Sequence, residues 1–380
     1  LIELLIQKNI IIFTDLPKAT YKLLPAMIAD ALPDDFGNSL VDRYMASKGI
    51  AATRISALDR LAYMSNHAMG ALEFKPAYDA KKHAPTAIEL NSLVMQARSV
   101  INGLTTDNDD LNSAFKNIIE VGTSAGGARA KAVIAWNQQT HEIRSGQIDV
   151  PENFEHWLLK FDGMGIDKEL GDSQEYGRIE YAYFLMARAA GINIMPSYLL
   201  EENGRAHFMT KRFDREKNRI KHHIQTLCAI NHLDYKKRAT HSYEQLFITI
   251  IQLKLEDDQK IEAFRRMVFN ILAFNCDDHT KNISFILRQN STWELSPAYD
   301  VTYAHNPQGE WTNQHLMSVN GKFNNITLAD MLTISDRFSI GEARDIIKNV
   351  QQAISRWPEF ATTAGISQRT INSIKEKILA

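Results

Sequence analysis

Eight residues, Asn275-Cys276-Asp277-Asp278-His279-Thr280-Lys281-Asn282, gather two acids, a His, a Lys and an Asn directly after an apolar stretch. Such a cluster is costly to assemble unless something charged is bound among the side chains. The spacing suggests phosphoryl transfer, in which an Asp orients a substrate hydroxyl, an Asn five positions on holds a metal, and a second Asp after a short hairpin holds it again. Asp277 and Asn282 stand at the first spacing. The second acid would be Asp300, in Ser296-Pro297-Ala298-Tyr299-Asp300.

The elements that must position these groups are legible nearby. Residues 283–287 read as a strand, 289–292 as a turn and 293–295 as the return strand, which would bring Asp300 back to the Asn282 end. Upstream, Asp257 to Asn275 reads as a helix with Ile261, Phe264, Val268, Ile271 and Leu272 on one face, and Ser242-Tyr243-Glu244-Gln245 as a capping box. Taken alone, Asp277 and Asn282 could equally cap a helix or solvate a turn, because short motifs match by accident. A metal-dependent phosphohydrolase using Asp277, Asp278, His279 and His305 is a rival, although it needs more ligands than can be grouped.

Three further segments could complete a nucleotide site. Gly122 to Lys131 is rich in glycine, which lets backbone N–H groups approach a phosphate, and Arg129 and Lys131 add positive charge. It is neither a Walker loop nor a G-x-G-x-x-G loop, and composition alone allows a plain hairpin turn. Lys160 lies in the strand-like stretch 154–161, where a buried ammonium needs a partner, although it could also snorkel from an edge. The following helix, from about Ser173 to Ala190, offers Glu175 and Glu180 as that partner.

These segments together resemble the HipA-type serine/threonine kinase toxins. The resemblance rests on Phe274 to Phe285, Leu295 to Asp300, the 122–131 loop, Leu32-Pro33-Asp34-Asp35-Phe36-Gly37-Asn38, Ala57 to Tyr63 and Met69 to Phe74. It implies an α+β, two-lobed protein-kinase-like fold with a mixed α/β N-lobe and a mainly α-helical C-lobe. The expected units are 1–80, an N-terminal subdomain open to truncation because the numbering starts at Leu1 rather than Met; 81–212, the N-lobe; and 213–380, the C-lobe.

By the same resemblance, Asp277 is the catalytic residue and Asn282 and Asp300 hold Mg²⁺. ATP is held by Gly126, Gly127, Ala128, Arg129, Ala130 and Lys131 of the loop, by Lys160, by Lys211, Arg212 and Phe213 beside the base, and by His279, Thr280, Lys281, Asn282, Tyr299 and Asp300. Glu180 is preferred over Glu175 as the partner of Lys160. Ser124 is the expected autophosphorylation site, where added negative charge would expel the loop and switch the enzyme off; an ordinary loop serine is the plain alternative. The implied partners are a protein substrate such as an aminoacyl-tRNA synthetase and a HipB-type helix-turn-helix antitoxin, with DNA reached only through the antitoxin. A catalytically quiet co-repressor scaffold is the non-enzymatic alternative.

Composition limits the rest. The 380 residues are 44% hydrophobic with net charge −2, enough for a sizeable core and too balanced for a global attraction to nucleic acid or membrane. The basic run around Arg212 to His223 lacks interleaved aromatics and reads as a solvated loop. Two widely separated cysteines, Cys228 and Cys276, fit a reducing, cytoplasmic setting. The apolar opening is broken by Glu3 and Lys8 and reads as neither signal peptide nor membrane span.

Overall fold

The computed structural model describes residues 15–66, 68–77, 131–146, 151–162, 175–202, 204–217 and 220–379. The sequence also reads as a polar connector at 81–85 and an amphipathic helix over 87–103; both, with the loop 122–130 and Ser124, lie outside the described residues.

The described residues open with four α-helices, α1 (Lys18–Tyr21), α2 (Ala26–Ala29), α3 (Asp35–Ser47) and α4 (Ala57–Met64). In sequence, Asp34 to Arg43 reads as a turn followed by an amphipathic helix; in the structure Asp34 is the N-cap of α3 and accepts the Gly37 N–H at 2.6 Å, so the helix begins directly at Asp35. A capping box between Ser56 and Asp59 starts α4.

A five-stranded antiparallel sheet follows, built from β1 (Lys131–Trp136), β2 (Ile143–Ser145), β3 (Glu155–Lys160), β4 (Ser197–Glu202) and β5 (Arg205–Lys211) in the spatial order β2-β1-β3-β5-β4. Every residue of β1 is buried, as its Val, Ile and Trp content predicts for an inner strand. The register places Lys131 opposite Lys160 at one end of the β1–β3 pair. Between β3 and β4 runs helix α5 (Tyr176–Ala189), laid across β5. The contact is so close that a Cβ on Gly177 would stand 2.0 Å from the Ala206 carbonyl oxygen, which only glycine avoids.

The remaining chain is mainly helical. It comprises β6 (His223–Thr226), α6 (Leu227–Ile230), β7 (His241–Ser242), α7 (Tyr243–Gln252), α8 (Asp257–Leu272), β8 (Ser284–Leu287), β9 (Trp293–Leu295), β10 (Met317–Ser318), α9 (Leu328–Arg337), α10 (Ala343–Ser355), α11 (Trp357–Thr363) and α12 (Gln368–Ile378). Strands β6, β8 and β9 form a small antiparallel sheet, with Phe285 opposite Leu295 as the hairpin reading requires. The face of α8 carrying Phe264, Met267, Val268 and Ile271 is sealed in the main core, where each large apolar side chain contributes about 1.5–3 kcal/mol. Trp357, fully buried, packs on Tyr183 of α5 at 5.5 Å between ring centroids and donates its indole N–H to the Ile371 carbonyl, tying the last helices to the sheet-bearing half. Among the described residues no helix is long and apolar enough to cross a membrane.

The N-terminal helices bind the later chain through specific polar contacts. The Tyr21 hydroxyl reaches the Cys228 and Leu233 carbonyls at 2.8 and 2.6 Å, and the Asp30 carboxylate accepts both the N–H and the hydroxyl of Thr226. Gly70, at φ +80°, donates its N–H to Asp214 while Arg215 donates to the Gly70 and Ala68 carbonyls.

Candidate active site

Helix α8 ends at Leu272, and the chain then passes through Phe274, held at φ +53°, into the acid-rich loop. Cys276 N–H bonds to the Ala304 carbonyl and Ala304 N–H to that of Phe274, so the loop is stitched to the segment after Asp300. The β8–β9 hairpin carries the chain from Asn282 out and back to Tyr299 and Asp300. Asn282 and Asp300 therefore line one cleft, although they stand far apart in sequence. Asp300 adopts left-handed backbone, φ +52°, a cost of about 1–2 kcal/mol that a positioned side chain can justify.

Lys160 enters that cleft from β3. Its ammonium lies 2.5 Å from Glu180 Oε1 and also bonds Asp300 Oδ1. Burial opposes its charge, but the two carboxylates outweigh this and raise its pKa. Burial likewise pushes Asp300 up, yet Lys160 and the nearby Lys131 hold it down at about 2. Glu175 is engaged elsewhere, accepting the Ser367 N–H and the Ser367 and Thr370 hydroxyls at the start of α12. Lys131 lines the same cleft but is paired with Asp34 at 2.9 Å, both side chains almost fully buried.

Residues 210–213 also line the cleft, together with Met27, Ala31, Met69 and Leu72 of the N-terminal segment. Phe213 and Tyr299 face each other across it with ring centroids 6.0 Å apart. The Tyr299 hydroxyl bonds Ser284 and donates to the Lys281 carbonyl, fixing the floor. Lys211 is paired with Glu155 at 2.5 Å.

Behind the loop sits a second charged cluster. Asp278, fully buried, accepts the Tyr243 hydroxyl at 2.8 Å, His315 Nδ1 at 3.0 Å and the Leu316 N–H at 2.7 Å. Burial works against a charged His315, but Asp278 dominates and raises its pKa to about 10. Asp277, its neighbour, faces the other way. Its Oδ1 accepts the Trp311 indole N–H at 3.0 Å, and its backbone carbonyl accepts the Asn282 amide at 2.8 Å. Desolvation first, then the nearby Asp300 and Asp278 charges, raise its pKa.

A cleft lined by a Lys–Glu–Asp clamp and an Asn, with a further acid, Asp277, bonded through its carbonyl to that Asn and itself outside the lining, is one of the arrangements that phosphoryl transfer uses. The model of the HipA-like C-terminal domain family matches residues 123–358, well over half of the chain. This chain belongs to the HipA-like C-terminal domain family. The HipA-like chain superposes on HipA from the Shewanella oneidensis MR-1 toxin-antitoxin complex of HipA, HipB and operator DNA with a TM-score of 0.66 at 17% identity, covering 93% of this chain and 83% of that one. The two-lobed, kinase-like α+β architecture expected from the sequence is thus the one observed. A Haemophilus influenzae protein carrying a provisional kinase name is 31% identical over 153 residues, which span 37% of this chain and 44% of that relative's length. The Helicobacter pylori proinflammatory kinase CtkA aligns at a TM-score of 0.37 and 15% identity, over 60% of this chain and 89% of that one.

Several expectations for the HipA-like chain need correction. Thr280 does not reach the cleft: it is fully buried, and its carbonyl accepts the Cys228 N–H. His279 packs edge-on against Tyr235 and faces Asp277 at 3.8 Å, again outside the cleft lining. Arg212 lines the cleft, but its guanidinium is consumed by a bidentate, buried bond to Asp214, so residues 212–215 form an ionic tie and not a solvated loop. Arg212 N–H is also used, by the His156 carbonyl. The phosphohydrolase alternative loses Asp278 to its inward bonds, and among the described residues no group of three or more His, Cys, Asp or Glu could hold a metal. Sequence reasoning missed Trp311, His315 and Asp34 as partners; the first two stand over 30 residues downstream of their acids, and no local pattern marks them. Gly126 to Ala130 and Ser124 lie outside the described residues.

Proposed function

We propose that the chain is an ATP- and Mg²⁺-dependent serine/threonine protein kinase of the HipA toxin kind. The observation that carries this reading is Lys160, held between Glu180 and Asp300 in a cleft that also contains Asn282. Lys160 would hold nucleotide phosphates, and Asn282 with Asp300 would hold Mg²⁺ through hard oxygen donors, a donor set suited to that ion. Bound Mg–ATP would supply the transferable phosphoryl group and neutralise its charge. Asp277 would orient the acceptor hydroxyl, and its raised pKa suits a group that accepts a proton transiently. The hinge Lys211 to Phe213 and Tyr299 would flank the base, and Lys281 would border the phosphates.

The rest of the reading follows the family likeness. Residues 126–131 would cover the phosphates, and phosphorylation of Ser124 would switch the enzyme off. The protein substrate would be a translation factor such as an aminoacyl-tRNA synthetase. A HipB-type helix-turn-helix antitoxin would be the partner, in keeping with the HipB present in the Shewanella oneidensis complex. Unit boundaries near residues 80 and 212 and a cytoplasmic setting, which two free and buried cysteines suit, belong to the same proposal.

The test is intact-mass analysis of the purified protein after Mg–ATP, before and after phosphatase. Wild type should gain phosphate that phosphatase removes, Ser124→Ala should gain less and stay active longer, and Asp277→Asn and Asp300→Asn should gain none. Either of the last two variants labelling as wild type does would refute the assigned roles.

A further inference from the structure

One contact on the acceptor side is not used by any role assigned above. Trp311 Nε1–H donates to Asp277 Oδ1, the same oxygen that His279 Nε2 approaches at 3.8 Å. Among the described residues no hydrogen bond reaches Oδ2, and the Asp277 side chain keeps 39% of its surface exposed. An indole N–H is a donor only, so it holds the ionised carboxylate without competing for a proton. A bond to a charged oxygen is also among the stronger ones available.

The loop that carries Trp311 is built to hold it there. Asn306 N–H bonds the Thr312 carbonyl at 3.2 Å, and Gly309 N–H bonds the Asn306 carbonyl at 3.0 Å, closing a compact turn. Beyond it, Asn313 Oδ1 accepts from Arg238 at 2.8 Å, which ties the turn to the 235–238 segment beside His279. Trp311 is half-buried, so its ring is held in place while its neighbour Asp277 stays accessible.

From these contacts we infer that Trp311 is a positioning residue of the acceptor site: its indole N–H fixes the Asp277 carboxylate so that the other oxygen meets the hydroxyl of an incoming polypeptide. The inference rests on the kinase reading and deepens it. Trp311 lies outside the nucleotide cleft, so its effect belongs to transfer and not to nucleotide binding.

The test uses Trp311→Phe, which keeps a ring and removes the N–H, with phosphoryl transfer from radiolabelled ATP to the protein itself and to casein. The expected result is a kcat lower by roughly 10- to 100-fold, as for a reacting group displaced by about 1 Å, with the KM for ATP within about twofold and an unchanged melting temperature. Independently, the indole N–H NMR resonance of Trp311 should move in Asp277→Ala. An unchanged kcat would overturn the inference, and a faster variant would make the indole a brake instead. Wild type that binds Mg–ATP yet labels neither acceptor would sink the kinase reading and this role with it, while the indole resonance would still report whether the contact exists.

Discussion

Two charged clusters stand back to back across one short loop, and they are solved in opposite ways. The rear one, Asp278 with His315, Tyr243 and the Leu316 N–H, balances one negative charge with one positive charge and seals both from water. The front one sets a single ammonium, Lys160, against two carboxylates, Glu180 and Asp300, and opens onto a cleft. The second cation nearby, Lys131, is already matched by Asp34. Within this triad, among the described residues, two carboxylates share one ammonium in a partly dry setting, which is costly unless a further cation binds; Lys281 lines the same cleft. Neighbouring acids in one motif thus stand in different settings: Asp278 is bonded inward on both oxygens, while Asp277 keeps part of its side chain exposed.

The largest effects should separate the two clusters cleanly. Asp277→Asn is expected to reduce phosphoryl transfer by roughly 100- to 10,000-fold while leaving the melting temperature close to wild type, measured by radiolabel and calorimetry. Asp278→Ala should do the reverse in kind, lowering stability by about 3–5 kcal/mol in denaturant unfolding because the buried pair is broken and the Tyr243 hydroxyl, His315 and the Leu316 N–H lose their shared acceptor. If both variants lost only activity, the distinction between front and rear would fail.

The rear pair also predicts a pH dependence. His315 has a folded pKa raised to about 10 from an ordinary 6.5. Its contribution to stability is whole below the unfolded value and is lost as pH rises through about 10. Unfolding free energy should fall across that alkaline window, and His315→Gln should flatten the fall.

Two smaller effects test the frame that holds the clusters. Gly177→Ala puts a methyl against the Ala206 carbonyl and should destabilise by about 1–3 kcal/mol, moving α5 and with it Glu180. Glu175→Ala, which removes the acceptor at the start of α12, should cost only about 0.5–1 kcal/mol and leave transfer unchanged. A loss of activity in Glu175→Ala equal to that in Gly177→Ala would mean that Glu175 supports the site as well.

How far the front cluster could be read from sequence follows from its geometry. Asp277, Asn282 and Asp300 are joined by a short hairpin whose alternation and turn residues are local, so both the β8–β9 pairing and the return of Asp300 to the cleft that Asn282 lines are legible. Glu180 was preferable to Glu175 only through family likeness, since both sit at the start of one helix. The rear cluster was illegible because its cation comes from an irregular segment, residue 315, and because an Asp repeated in a motif looks the same whether it faces solvent or core. Arg212 misled for a related reason: a basic run looks solvated until Asp214 is seen between two guanidiniums. Asp34 was visible as part of a motif, but its pairing with Lys131 spans 97 positions and has no periodic signal.

The excess charge of the front cluster can be measured without any protein substrate. Calorimetric titration of wild type and Asp300→Asn with a non-hydrolysable ATP analogue, with and without Mg²⁺, addresses it directly. The account predicts that Mg²⁺ strongly tightens binding to wild type and that the variant loses most of this gain. Wild type that binds the analogue equally well in the absence of Mg²⁺, or not at all in its presence, would contradict it.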